Sequence, residues 1–173
     1  EIPNPQQYPE KERARWCLLM TQAIDKTYRT HTSDSLIRFA VNYYEKVNDL
    51  SKLPTAFYTL GRVQRDLNDN EHAVNSFLKA LDLAKGSDDY KLQYLAASQL
   101  GHVYAYTHFV DEALNAYQLA LYFAEQDNDS ISLSYANSYL GRVYGLQKDW
   151  NRSIEFYQKA ISMAKQISYI PIL

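Results

Sequence analysis

The four histidines are the residues best suited to proton transfer or metal ligation, and their spacing supports neither. His31, His72, His102 and His108 contain no pair spaced to put two ring nitrogens on one helix face for zinc. His102 and His108 are six apart and fall on different faces of a helix, so the histidines read as surface residues. Cys17 is the one cysteine, so it can form no internal disulfide, and no histidine stands in a defined relation to it as a base. There is no glycine-rich phosphate loop and no Gly-x-Ser-x-Gly elbow. The paired acids Asp88–Asp89 and Asp111–Glu112 fall where helices are expected to start. Capping of free amides and the helix dipole account for them there. Neither an enzyme nor a cofactor or metal site is expected.

Composition narrows the partners. The net charge is −2 and the basic residues are dispersed, which offers no footprint for a phosphate backbone. Nucleic acid is therefore excluded as an expected partner. No apolar run approaches the roughly 20 residues that span a bilayer, so this segment is not expected to insert directly into a membrane. The chain begins at Glu1 and reads as an excerpt or a processed product, with any leader or anchor outside it. Tyrosine is over-represented, with 16 against 6 phenylalanines, which suits helix contacts and a wetted surface that needs a ring and a hydroxyl together.

The elements that must position these residues are read from an internal repeat. Leu60-Gly61-Arg62-Val63, Leu100-Gly101-His102-Val103-Tyr104 and Leu140-Gly141-Arg142-Val143-Tyr144 are 40 residues apart. The same step aligns Ala73 with Ala113 and Ser153, Phe77 with Tyr117 and Tyr157, and Ala80 with Ala120 and Ala160. A degenerate earlier copy places Met20, Thr21, Ile24, Ile37, Ala40 and Val41 in the same rows, with Cys17 aligned to Phe57, Ala97 and Asn137. Cys17 thus reads as a small core residue. Each unit reads as two helices with apolar residues at helical spacing, broken by polar stretches such as Asn68-Asp69-Asn70 and Gln147-Lys148-Asp149. No segment alternates with period two, so the fold class is all-α. The glycine and alanine rows imply close approach of paired helices, and Phe77, Tyr117 and Tyr157 are expected to fill the gap between successive hairpins.

These rows resemble the tetratricopeptide repeat pattern: Leu-Gly, an aromatic three residues on, then Ala, an aromatic and Ala in the second helix. The period of 40 is longer than the usual length of about 34, so longer helices and turns are expected. The resemblance implies a right-handed superhelical solenoid of about four helix-turn-helix hairpins, with units near 11–48, 51–86, 88–127 and 129–168. Residues 1–10, with three prolines, form an extended lead-in. Residues 169–173 form an apolar tail that reads as the start of a further repeat. The chain also resembles envelope-associated bacterial proteins of this family, which favours a periplasmic or envelope location over the cytoplasmic alternative.

A non-catalytic protein- or peptide-binding scaffold is the function this resemblance implies. The alternative is the sensory, ligand-binding part of a larger bacterial signalling protein. A carbohydrate-uptake lipoprotein fits less well, because the chain is short and lacks tryptophan platforms in the groove. The first helix of each hairpin would line a concave groove, and the residue after each glycine would face into it. That row reads Gln22, Arg62, His102 and Arg142. Helical neighbours extend it, so the groove residues are Tyr58, Arg62, Arg65, His102, Tyr106, Tyr135, Tyr139 and Arg142. Arginine grips a carboxylate with two parallel hydrogen bonds, which points to an acidic peptide. The competing reading pairs these arginines with Asp25 and Asp66. The row lacks the asparagine of chaperone-tail binders, so a chaperone C-terminus is not the expected ligand. At the far end, Ile154, Phe156, Tyr157, Ile161 and Met163 leave the last helix apolar on two sides. Self-association or cover by the chain's own tail is expected there.

Overall fold

The computed structural model describes residues 7–27 and 29–166. Among these, eight helices and no strand occur: α1 Glu10–Lys26, α2 Ser35–Lys46, α3 Leu53–Asp66, α4 Asn70–Ala84, α5 Tyr90–Tyr106, α6 Val110–Gln126, α7 Ser130–Leu146 and α8 Trp150–Gln166. They fall into two compact units, one through Lys85 and one from Gly86. The apolar tail 169–173 and most of the lead-in lie outside the described residues. Of that lead-in only residues 7–9 are described, and α1 starts at Glu10.

In the first unit, α1 buries Ala14, Cys17, Leu18 and Thr21, and α2 buries Ile37, Ala40, Val41 and Tyr44. Both sets follow the i, i+3, i+4, i+7 rule that gives a helix one apolar stripe. α1 packs on α2, α2 on α3, and α3 on α4. Pro54 lies in the first turn of α3, where its missing N–H costs nothing. α4 adds Ala73, Phe77, Ala80 and Ala84 to the interior.

The second unit repeats this plan. α5 pairs with α6, α6 packs on α7, and α7 pairs with α8. The core of α6 is Ala113, Ala116, Tyr117, Ala120 and Ala124, the same spacing as in α4. Tyr117 is wholly buried and packs with Leu140, Val143 and Tyr144 of α7. On α8, Ile154, Tyr157 and Ile161 remain exposed, whereas Phe156 stacks on Tyr144.

One turn design recurs at half the repeat length. Asn48, Asn68, His108, Asn128 and Lys148 all adopt positive φ between 50° and 66°. Each ends a helix, and the following residue returns its N–H to a carbonyl five residues back, as in Asp69 to Gln64 and Asp149 to Tyr144. That pattern is the Schellman closure of a helix C-terminus. The residue that closes one helix then caps the next. Asp69, Asp129 and Asp149 accept backbone N–H bonds from His72, Ile131 and Arg152. Asp89, after Gly86 has opened the second unit with φ 80°, does the same for Leu92. Two turns depart from this: Phe109 occupies the cap position of α6 with no side-chain acceptor, and Asp49 takes the N–H of Ser51, ahead of α3.

The glycine row has a specific partner. A β-carbon at Gly61 would stand 2.7 Å from the Phe77 ring, and one at Gly101 would stand 2.5 Å from the Tyr117 ring. At Gly141 it would lie 3.0 Å from Tyr157. The aromatic rings therefore lie across the glycine of their own hairpin, and Tyr117 also reaches the next hairpin, where the sequence pattern had placed the whole row.

Candidate functional site

Each unit gathers its own set of the anticipated groove residues. On α3, Arg62 follows Gly61 and stands one turn after Tyr58. Its Nη1 donates to the Tyr58 hydroxyl at 3.2 Å and its Nη2 to Asp25 Oδ1 at 2.5 Å. Its Nε is buried and has no hydrogen-bond partner among the described residues. Burial alone would lower the pKa of Arg62, but Tyr58, Asp25 and Asp66 outweigh it and raise it. Arg65 donates to Asp66 at 2.8 Å. The pairings with Asp25 and Asp66 are thus both present, and the Arg62 charge is already neutralised inside its own unit.

The second unit is arranged differently. Tyr117, from α6, places its hydroxyl 2.8 Å from Nδ1 of His102 on α5. Arg142 of α7 donates its Nη2 to the same hydroxyl at 2.7 Å. Nδ1 of His102 also lies 3.3 Å from Arg142 Nη2, so the ring, the hydroxyl and the guanidinium meet at one point. Burial pushes the Tyr117 hydroxyl up to about 12, against the opposing pull of Arg142. The Tyr139 ring meets His102 edge-on at 4.6 Å and tilts against Tyr117 at 5.2 Å, and Tyr135 stacks on Tyr139 at 6.2 Å.

The result is an aromatic floor of His102, Tyr139 and Tyr135 beside one exposed guanidinium. Arg142 has no acidic partner among the described residues, and only its Nη2 is engaged. An exposed guanidinium anchored at one nitrogen is suited to a carboxylate. Tyr106, 73% exposed at the end of α5, takes no part in this cluster. It is the last residue of α5, one turn after His102, and stays open to solvent.

Two participants were not marked by the sequence pattern. Tyr117 read only as packing, yet it is the pin that holds His102 and Arg142. His31 read as a surface residue, and it is 6% exposed. It precedes α2 in a stretch where the degenerate first copy carries no clear repeat. A further cation, Lys91, bonds Asp129 and Ser132. Burial would raise the pKa of Asp129, but Lys91 and Ser132 together bring it down to about 2.

No described helix is long and apolar enough to cross a membrane. Tetratricopeptide repeat models match residues 54–86 and 93–166. No curated protein matches the sequence. Among solved structures, the chain is similar to the apo form of RapI, with a TM-score of 0.79 and 19% identity over 92% of this chain and 45% of that one. It is also similar to a signal transduction ATPase with numerous domains from Pyrococcus horikoshii, which carries a tetratricopeptide repeat sensor. There the TM-score is 0.80 with 17% identity, over 94% of this chain and 25% of that one. A third likeness is to MamA, with a TM-score of 0.68 and 15% identity over 95% of this chain and 80% of that one. The chain spans less than half the length of the first two. Identities this low speak for a shared fold alone.

Proposed function

The chain belongs to the tetratricopeptide repeat family, and from that premise we propose that it is a protein-binding module that takes a carboxylate-bearing peptide segment on α5 and α7. The fold is a protein-interaction scaffold in general, and its members are as a rule non-catalytic. The finer reading rests on one observation: Arg142 is exposed, has no acidic partner among the described residues, and is held at Nη2 by the buried Tyr117 hydroxyl.

A carboxylate approaching Arg142 meets donors that need no reordering, because the Tyr117 anchor has already fixed the side chain. Preorganisation lowers the entropic cost of binding. The floor of Tyr135, Tyr139 and His102 would receive an apolar or aromatic side chain next to the acid. Arg62 is the weaker candidate, since a ligand there must first displace Asp25 from a 2.5 Å ion pair.

Binding of fluorescent peptides that differ only in acidic or amide side chains tests this reading. The acidic members should bind the parent, and Arg142→Glu should weaken them by at least about tenfold, the equivalent of 1.4 kcal/mol. Arg62→Glu should have the smaller effect. Equal binding of acidic and amide peptides by the parent would end the carboxylate reading.

A further inference from the structure

Three side chains that the proposed peptide site does not use converge in the first unit. Asp25 lies in the last turn of α1, His31 in the connection to α2, and Asp66 is the last residue of α3. One ligand atom from each, a histidine ring nitrogen and two carboxylate oxygens, all lie within 4.8 Å of one another. No two of these residues share a helix, so no helical spacing could have announced the set.

The histidine supplies an independent pointer. His31 is 6% exposed, and its Nε2 is buried without a hydrogen-bond partner among the described residues. A buried polar atom left unpaired is costly, and such exceptions call for a physical account. An electron-pair acceptor lodged among the three side chains would provide it.

We propose that Asp25, His31 and Asp66 form a binding site for a borderline divalent cation of the zinc class. Imidazole and carboxylate donors suit such an ion, whose bonds to them are about 2.0–2.2 Å long. Ligand atoms around a tetrahedral ion at that radius stand roughly 3.4 Å apart. Atoms now within 4.8 Å of one another reach that spacing by side-chain adjustments on the order of 1 Å, with no helix displaced. The fourth position is left to water or to a ligand from outside.

The two arginines serve as supports for the ligands. Arg62 and Arg65 each take Oδ1 of their carboxylate, at 2.5 Å and 2.8 Å. A carboxylate offers about four acceptor positions, so each acid keeps an oxygen for the ion while its orientation is held. The same guanidiniums offset the acids' charge. The site therefore binds reversibly and more weakly than a closed four-ligand zinc site.

Chelator-stripped protein titrated with zinc chloride at neutral pH, followed by calorimetry, tests the assignment. The parent should bind one equivalent that His72→Ala and His108→Ala leave unchanged. His31→Ala should weaken it by at least about tenfold, the scale on which even supporting residues of metal sites act. Replacing His31 breaks no hydrogen bond of Nε2, so this variant should keep its fold, which far-ultraviolet circular dichroism checks. Asp25→Asn tests the second ligand, but it also loosens Arg62. Nitrogen-15 NMR of the parent therefore adds a reading that needs no variant, in which zinc should move a ring-nitrogen resonance of His31. Zinc binding unchanged in His31→Ala, a His31 ring untouched by saturating zinc, or no binding by the parent would each overturn the proposal.

Discussion

Adding one methyl group at each repeat glycine should have opposite effects at different positions, because the ring above each glycine differs in its freedom to move. In a helix interior, Gly→Ala contributes about 1 kcal/mol of stability through backbone entropy. At Gly101 the new carbon would sit 2.5, 2.6 and 2.9 Å from three atoms of the Tyr117 ring, well inside ordinary contact at 3.4–4 Å. That ring is wholly buried and pinned at its hydroxyl by His102 and Arg142, so it cannot withdraw. Overpacking of this kind costs about 1–3 kcal/mol, and the net loss for Gly101→Ala should be about 1–2 kcal/mol. Gly61→Ala meets a buried Phe77 at 2.7 Å, where no hydroxyl anchors the ring, and should lose about 1 kcal/mol. Gly141→Ala meets Tyr157 at 3.0 Å, and that ring is 39% exposed and can swing outward. Its helix gain and steric cost should nearly cancel. Gly145→Ala, near the end of the same helix, meets only Ser153 Oγ at 3.4 Å and should stabilise by about 0.5 kcal/mol. Urea unfolding of the four variants, with unchanged m-values, reads the order directly. Gly101→Ala as stable as the parent would refute the account of the glycine–aromatic rows.

Phe109→Asp should stabilise by about 0.5–1 kcal/mol in the same assay. Its φ −82° and ψ 76° already match Asp69 at −86° and 71°, while the lost ring is exposed and meets Tyr104 only at 6.4 Å. Lys148→Gly should gain about 0.5–1 kcal/mol, since φ 62° strains any residue with a β-carbon, and Lys148→Asn should gain less. Asp129 has a folded-state pKa of about 2, below its unfolded value of about 3.9, so its contribution is full above pH 4 and is lost as the pH falls toward 2. Lys91→Met should remove about 1 kcal/mol of this at pH 7, after allowance for screening, and the gap from the parent should close at pH 2. A gap that widens on acidification would contradict that pairing.

The helices were legible because every apolar residue that fixes them recurs within one element: Ile37, Ala40, Val41 and Tyr44 mark the buried stripe of α2 unaided. The glycine row was legible for the same reason, but its partner was less so. A sequence period shows that Tyr117 and Gly101 recur together, not that one lies across the other while also touching α7. The capping period of 20 residues was hidden because its side chains vary: Asn68 and Lys148 read only as parts of polar breaks, and His108 and Lys148 give no hint of positive φ. For the candidate site, the row after each glycine was readable, and its division was not. Whether Arg62 is neutralised depends on Asp25, which reaches α3 from α1. His31 was misplaced on the surface because the connection around it carries no repeat, and only packing shows it buried.

The account stands most directly on where an acidic peptide touches the chain. Backbone and side-chain NMR shifts recorded while a bound acidic peptide is titrated would locate it. The largest changes should fall on His102, Tyr135, Tyr139 and Arg142, with the Arg142 side-chain N–H resonances moving to the positions of a carboxylate-bonded guanidinium. Changes confined to the exposed apolar residues of α8, with Arg142 and the ring cluster unmoved, would contradict it.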